Sequence, residues 1–229
     1  MRLGSAAFPH RAELSVFPSP NFGERRGGLR PKLIVIHYTA MASCAEAHQR
    51  LCDPAAEVSA HWLISETGEV HALVDEPLRA WHAGAGEWAG IADVNSQSIG
   101  VELANFGNHP FSDPQMAALE ILLAGIMARW AIAPRGVIAH SDMAPTRKSD
   151  PGARFDWQRL ALAGLAVWPQ FRQAEPSAFL PALRAFGYPD APLGDVLTAF
   201  RLRFRPWASG PVDQVDAGLA VDLARRFAA

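Results

Sequence analysis

The chain contains short apolar runs whose composition is typical of β-strands. Leu33-Ile34-Val35-Ile36 is apolar at every position and rich in β-branched residues, which is the pattern of a strand buried on both faces. Two further runs flank Glu66-Thr67-Gly68, a sequence that predicts a hairpin turn between them. The predicted strands are residues 33–36, 61–65, 69–74, 98–103 and 136–139, the last of which leads into His140.

Helices are predicted between these strands. Ser43 and Glu46 fit a capping box, and Ser112 precedes apolar residues that recur with the period of a helix. The predicted helices are a short one from Ser43 to Asp53-Pro54, a long one from Ser112 to Trp130, and one from Asp156 to about Val167. This alternation of strands and helices predicts an α/β fold with a central mixed β-sheet flanked by helices.

The two ends of the chain and one internal stretch differ in character. Residues 1–32 are rich in Pro, Gly and Arg and predict an irregular N-terminal arm, whereas the aromatic-rich residues 79–98 predict a long loop on a functional surface. After Trp168-Pro169, three short amphipathic segments separated by Pro/Gly turns predict a small C-terminal three-helix domain. Its core would be marginal without a neighbour. We therefore divide the chain into the arm, a main domain at residues 33–170 and a helical module at residues 171–229.

Composition and charge narrow the classes of function. The 229 residues are 49% hydrophobic and 19% charged, values typical of a globular rather than a disordered chain. The formal net charge is −2, so the chain lacks the excess of basic residues that favours binding to nucleic acid or to an anionic membrane. No nucleic-acid partner is therefore expected. The only cysteines, Cys44 and Cys52, cannot form a disulfide framework.

The sequence predicts no membrane-spanning or secretion segment. The longest apolar stretch, from Met116 to Ala133, is interrupted by Glu120 and Arg129, so no transmembrane segment is expected. The N-terminal residues lack the apolar stretch and cleavage site of a signal peptide. We therefore expect a cytoplasmic protein, with the periplasm or the outer membrane as the alternative if a leader has been removed.

Two histidines and an aspartate are candidates for a metal site. His37 and His140 each stand at the end of a predicted core strand, and Asp150 follows in a Lys-x-Asp-Pro-Gly turn. Two imidazoles and a carboxylate suit Zn²⁺, and three protein ligands leave a fourth position for water, as in catalytic zinc sites. The alternative is that both histidines are hydrogen-bonded strand-end residues without a metal.

Glu102 and Lys148 are candidates for acid–base and electrostatic roles. Glu102 lies inside the apolar strand at residues 98–103, where a carboxylate is either ion-paired for structure or functional. Beside a metal site it becomes a candidate general base. Lys148 is either an ordinary surface charge or the group that stabilises an oxyanion beside the metal.

His61, Trp81 and His82 are candidates for a substrate groove. Trp81 and His82 lie in the glycine-rich loop, and such side chains can stack on polar ligands and hydrogen-bond to them. His61 stands at the start of a predicted strand and is alternatively a core histidine.

Five motifs that contain these residues resemble, in order, those of the zinc-dependent N-acetylmuramoyl-L-alanine amidases of the AmpD/AmiD type, which are relatives of the peptidoglycan recognition proteins. The motifs are Ile36-His37-Tyr38-Thr39, Ser59-Ala60-His61-Trp62-Leu63-Ile64, Ala80-Trp81-His82-Ala83-Gly84, Ser98-Ile99-Gly100-Val101-Glu102, and His140-Ser141-Asp142 through Lys148-Ser149-Asp150-Pro151-Gly152. The resemblance covers about residues 17 to 168. The C-terminal helices resemble, more loosely, the peptidoglycan-binding module of the AmiD branch.

The resemblance implies a function and a role for each candidate residue. It implies that His37, His140 and Asp150 bind zinc and that Glu102 and Lys148 are catalytic. The expected reaction is hydrolysis of the amide between N-acetylmuramic acid, or its anhydro form, and L-alanine of the stem peptide. The expected partner is therefore peptidoglycan or a soluble muropeptide.

Two other functions fit the same residues. One is a muropeptide-binding module without catalysis, which is disfavoured because all three matching metal positions are filled. The other is a zinc peptidase that cuts within the stem peptide. The sequence leaves open whether the substrate is polymeric or soluble, and it specifies no oligomeric state.

Overall fold

The computed structural model describes residues 18–228, and a five-stranded mixed β-sheet lies at its centre. The strands are β1 Phe22–Gly23, β2 Leu33–Tyr38, β3 Trp62–Ile64, β4 Val70–Ala72, β5 Arg79–Ala80, β6 Ser98–Leu103 and β7 Val137–Ala139. The central sheet has the order β4-β3-β6-β2-β7, in which only the β3–β4 hairpin is antiparallel. A separate antiparallel pair joins β1 to β5. The predicted α/β fold with a mixed sheet is confirmed.

Helices cover both faces of this sheet. They are α1 Cys44–Cys52, α2 Val94–Gln97, α3 Asp113–Trp130, α4 His140–Met143, α5 Trp157–Leu162, α6 Phe179–Phe186, α7 Leu193–Phe204 and α8 Gln214–Phe227. The α1 helix starts as predicted, because the Ser43 hydroxyl accepts a hydrogen bond from the Glu46 amide at 3.2 Å. None of the helices between residues 18 and 228 combines the length and the apolar character needed to cross a membrane.

The long helix α3 covers one face of the sheet. The Ser112 hydroxyl caps it by accepting a hydrogen bond from the Gln115 amide at 3.3 Å. Its apolar side chains then pack at helical spacing against the alternate residues of β2 and β6 that point to this face. This core contains Met116, Leu119, Leu122, Leu123 and Ile126 of α3 with Ile34, Ile36, Ile99, Val101 and Leu103 of the sheet. Burial of each large apolar side chain contributes about 1.5–3 kcal/mol, so this layer fixes the strands that carry the site.

The opposite face of the sheet is apolar at one end and polar at the other. Leu33 and Val35 point to this face and pack into a core shared with α6, α7 and α8. His37 is two residues further along β2, on the same face, near the carboxyl end of the strand. The α6, α7 and α8 helices therefore pack on the apolar end, and at the polar end the side chains of neighbouring strands can meet one another.

The three C-terminal helices form as predicted, and they share their core with the main sheet. Phe179, Phe200 and Leu223 are buried in the same cluster as Leu33 and Ile138. This contact agrees with the expectation that so small a helical bundle depends on its neighbour. The domain boundary near residue 170 and the peptidoglycan-binding role of these helices stay predictions.

A buried polar cluster ties the C-terminal helices to α4. The carboxylate of Asp142 is fully buried and accepts hydrogen bonds from the Tyr188 hydroxyl, the Arg203 guanidinium and the Ala139 amide. Arg203 also donates to the Val137 carbonyl at 3.0 Å. Since α4 begins at His140, these contacts hold the segment that carries a candidate metal ligand.

We expect Arg203→Met to destabilise the protein by about 3–5 kcal/mol, because removing one partner of a buried ion pair leaves the other charge uncompensated. Urea denaturation measures the change. The matched control is Arg184→Met, since the Arg184–Asp190 pair is largely exposed and its loss should cost at most about 1 kcal/mol. Equal unfolding midpoints for the two variants would show that the Asp142 cluster does not hold the helices in place.

Three predicted segments differ in the structure. Residues 1–17 of the predicted irregular arm lie outside the described residues, and the remainder contains β1 and a short 3-10 helix at Arg26–Gly28. The predicted loop at residues 79–98 includes β5 and α2, which are too short to produce a periodic pattern. The helix after Asp156 ends at Leu162 rather than near Val167, because Gly164 adopts a positive φ and the Leu165 amide closes back onto the Leu160 carbonyl.

Candidate metal centre

The candidate site begins with two residues on adjacent parallel strands. His37 on β2 is the register partner of Glu102 on β6, so their side chains point to the same face of the sheet. Both residues lie next to the last residue of their strands. In open α/β sheets the crevice at the carboxyl ends of the strands is the usual place for ligands.

The two other candidate ligands come from the segment that follows β7. The strand ends at Ala139, and His140 is the first residue of α4 rather than the last of the strand. The Ser141 amide donates to the Asp150 carbonyl at 3.0 Å, which folds the 140–150 segment back on itself. The Asp150-Pro151 peptide bond is cis. The Oδ2 atom of Asp150 lies 2.9 Å from Nδ1 of His140, across ten residues of sequence.

His37, His140 and Asp150 converge on one point. Nδ1 of His37 lies 2.9 Å from Nδ1 of His140, and each of these nitrogens lies 2.9 Å from Oδ2 of Asp150. The three residues are buried, with exposed fractions of 1%, 3% and 6%. Among the described residues they are the group of side chains placed to share one metal ion. Two imidazole nitrogens and a carboxylate oxygen are a donor set that fits Zn²⁺ and leaves one position of a tetrahedron for another ligand.

The ionisation states of this cluster suit a cation. Burial lowers the pKa of His37 to about 4, an effect that the neighbouring His140 reinforces, so its ring is neutral at pH 7. Burial alone would raise the pKa of Asp150, but the His140 and His37 rings, each 2.9 Å from its Oδ2 atom, outweigh this effect and hold that pKa well below its usual range. At neutral pH the cluster therefore offers a neutral imidazole and a carboxylate anion, the forms that coordinate a metal.

Glu102 lies beside the cluster with a free oxygen. Its Oε2 atom is buried and has no hydrogen-bond partner in the protein. Burial raises the pKa of Glu102 to about 8, the negative charge of Asp150 adds to the effect, and Lys148 opposes it. A carboxylate whose pKa lies near neutrality and whose oxygen has no structural partner can accept or release a proton during catalysis.

Lys148 stands at the exposed edge of the site. Its backbone amide donates to the Ala144 carbonyl at 3.0 Å, within the turn that leads to Asp150. Its side chain is exposed, yet its charge acts on the pKa of both Glu102 and His37. Lys148 therefore contributes a positive charge near the cluster from a solvent-exposed position.

Two of the three residues that were expected to form a groove wall lie in buried positions. His61 is fully buried, accepts from the Gly100 amide at 2.9 Å and contacts the Leu78 carbonyl at 3.1 Å. Burial lowers the pKa of His61 to about 3, so it is a neutral core residue. His82 is also buried, with 6% exposure, and it contacts His37 rather than a groove. Trp81 is half-buried, and its substrate-binding role stays a prediction.

Residues that the sequence did not single out as functional surround the two histidines. The Ala83 carbonyl lies 2.9 Å from Nε2 of His140, and the Asn95 side chain accepts from the amides of His82 and Ala83 at 3.1 and 2.8 Å. Ser98 and Gly100 lie beneath the ring of His82. Ser98, Gly100 and Glu102 are alternate residues of β6, so they point to the same face of the sheet. This alternation is the one feature of the sequence that could have placed Ser98 and Gly100 beside the site.

This α/β fold carries two histidines, an aspartate and a carboxylate with an unpartnered oxygen near the carboxyl ends of its central strands. Such an arrangement has the features of a metal-dependent hydrolase. The chain belongs to the family described as N-acetylmuramoyl-L-alanine amidase, whose model matches residues 27–153. It is 33% identical over 234 residues to the N-acetylmuramoyl-L-alanine amidase AmiD of Escherichia coli strain K12, an alignment that covers 86% of this chain and 84% of AmiD.

Two further comparisons agree with this assignment. The structure of Escherichia coli AmiD in complex with the substrate anhydro-N-acetylmuramic acid-L-Ala-D-gamma-Glu-L-Lys superposes with a TM-score of 0.80 and 31% identity, covering 99% of this chain and 93% of that one. The 1,6-anhydro-N-acetylmuramyl-L-alanine amidase AmpD of Haemophilus influenzae is 33% identical over 62% of this chain and 86% of its own length. The predicted resemblance to AmpD/AmiD-type amidases is confirmed.

Proposed function

We propose that this protein is a zinc-dependent amidase that hydrolyses the amide bond between N-acetylmuramic acid, or its anhydro form, and L-alanine of the peptidoglycan stem peptide. The observation that carries the proposal is the triangle of His37, His140 and Asp150 beside the unpartnered oxygen of Glu102, in a chain of the amidase family. Substrate-bound structures of similar amidases support a muropeptide as the ligand.

His37, His140 and Asp150 would hold the zinc. When bound, zinc supplies a Lewis acid that polarises the scissile carbonyl and lowers the pKa of a water molecule. The ligands' burial and their mutual 2.9 Å distances favour this role, because little rearrangement is needed to bring three donors onto one ion.

Glu102 would move the proton that hydrolysis requires. As the water oxygen bonds to the carbonyl carbon, one water proton passes to the Glu102 carboxylate. The same carboxyl group then gives that proton to the departing nitrogen as the C–N bond breaks. The products are a carboxylic acid on the muramic acid, which keeps the second water proton until it ionises, and a free amine on L-alanine. A pKa raised toward neutrality suits a group that must both accept and donate.

Lys148 would stabilise the negative charge that develops on the carbonyl oxygen. A fixed cation aimed at a developing oxyanion lowers the barrier because it interacts more strongly with the transition state than with the neutral carbonyl. Its position on the turn between Ala144 and Asp150, and the effect of its charge on the pKa of Glu102 and His37, support this role.

The experiment that tests the proposal is product analysis of a defined muropeptide by mass spectrometry. We expect two products, the muramic acid sugar and an intact stem peptide that begins with L-alanine. Shortened stem peptides still attached to the sugar would identify a zinc peptidase instead. Binding of the muropeptide with no product in the presence of zinc would identify a non-catalytic binding module.

A further inference from the structure

The ring of His37 is the first member of a chain of hydrogen bonds that leads away from the metal cluster. Nε2 of His37 lies 3.0 Å from Nδ1 of His82. Nε2 of His82 lies 3.1 Å from the Ser98 hydroxyl, which in turn donates to the Val94 carbonyl at 2.6 Å. The chain therefore runs through three buried side chains and ends on a backbone acceptor.

The direction of every bond in this chain follows from its last member. A carbonyl oxygen can only accept, so the Ser98 proton is used there and the hydroxyl must accept from Nε2–H of His82. A neutral imidazole has a single N–H, which leaves Nδ1 of His82 as an acceptor. Nε2 of His37 must then donate to it, and Nδ1 of His37 is left unprotonated, facing Asp150.

The backbone around His82 is shaped to keep its ring in this place. A Cβ atom on Gly100 would lie 2.4 Å from Cγ of His82, so the ring fits over β6 only because residue 100 is glycine. The side chain of Asn95 holds the amides of His82 and Ala83, and the Ala83 carbonyl receives Nε2 of His140. Nδ1 of His82 therefore accepts the N–H of His37, and the carbonyl oxygen of the next residue, Ala83, accepts the N–H of His140.

We propose that His82 is a positioning residue, which holds the ring of His37 in the tautomer and orientation that present its Nδ1 lone pair to the metal. Carboxylates, carbonyls and waters commonly accept the outer N–H of a metal-binding histidine, and here a second imidazole fixed by Ser98 takes that role. The inference rests on the zinc site proposed above.

Two amide substitutions separate this role from simple packing. In His82→Asn the amide oxygen can occupy the position of Nδ1 and accept from His37, whereas in His82→Gln the longer side chain places its polar atoms near the position of Nε2. Both variants replace a buried ring by a buried amide. The measurement is the zinc dissociation constant of the full chain, determined by competition with a chromogenic chelator.

We expect the wild-type protein to bind about one zinc, His82→Asn to bind it with nearly unchanged affinity, and His82→Gln to bind it about 10–100-fold more weakly. Equal zinc affinity in all three proteins, or an equal loss in the two variants, would overturn the inference. If the wild type binds no zinc, the proposed function fails instead.

A third variant tests the inference if either His82 variant does not fold. Ser98→Ala removes the acceptor that fixes the tautomer of His82 but leaves both imidazoles in place. Its zinc affinity is expected to fall in the same direction as that of His82→Gln, with a melting temperature measured in chelator to verify the fold. Unchanged zinc affinity in folded Ser98→Ala would overturn the inference.

Discussion

Replacing His140 by alanine is expected to abolish amide hydrolysis and to leave the purified protein without zinc. The substitution removes one of three donors that lie 2.9 Å apart, so the remaining His37 and Asp150 offer an incomplete set. Lewis-acid assistance is worth several kcal/mol, and each 1.36 kcal/mol is a factor of ten, so the expected loss of turnover is about 10³-fold or more. Metal analysis and muropeptide turnover on one preparation measure both effects.

The matched control is His48→Ala, which removes a half-buried histidine that contacts Cys52 and His71 on another part of the fold. This variant should keep its zinc and its activity. Removal of zinc from the wild type with a chelator should reproduce the His140→Ala defect, and added zinc should restore only the wild type. Full turnover by a verified metal-free preparation would contradict the proposed mechanism.

The strands and the candidate ligands could be predicted because their signals are local. The apolar run before His37 and the apolar strand around Glu102 each mark a buried element, and a polar residue inside such an element is conspicuous. Parallel pairing then brings His37 and Glu102 side by side. Asp150 was a candidate because it follows His140 in a Lys-x-Asp-Pro-Gly turn, and the resemblance implied that it binds a metal together with His37.

The role of His82 could not be predicted because it depends on tertiary contacts. An aromatic and glycine-rich loop is usually an exposed functional surface, and that rule predicted a groove residue rather than a contact with His37. The ring of His82 is buried because Gly100, on a different element, leaves space for it. Sequence spacing does not report such a fit between a loop and a strand.

The attachment of the C-terminal helices was predictable only in part. Their apolar spacing predicted three helices, and the small size of the core predicted contact with a neighbour. The fully buried pairing of Arg203 with Asp142 carries no sequence signal, since each residue alone is indistinguishable from a surface charge. This pairing brings the side chain of Arg203, from a C-terminal helix, into contact with Asp142, which follows His140 by two residues in the sequence.

Glu102→Gln is expected to lower turnover by about 10²–10⁴-fold, the usual size of a general acid–base contribution. Glutamine keeps the shape of the side chain but cannot take a proton from the attacking water. Zinc content should be unchanged, because Glu102 is not assigned as a ligand. Turnover and bound zinc are measured on the same preparation. Near-full activity would show that another group moves the proton, and loss of zinc would place Glu102 among the ligands.

The stability of the same variant distinguishes a catalytic carboxylate from a structural one. Burial raises the pKa of Glu102 to about 8 in the folded protein, so between the unfolded value near 4.5 and pH 8 the unfolded chain binds fewer protons than the native state. Stability of the metal-free wild type therefore falls as the pH rises through this window. Glutamine does not titrate, so metal-free Glu102→Gln should melt at a temperature close to that of the wild type at pH 5 and at a higher temperature at pH 8. A structural ion pair predicts the opposite sign, because the glutamine variant would then be the less stable protein at pH 8.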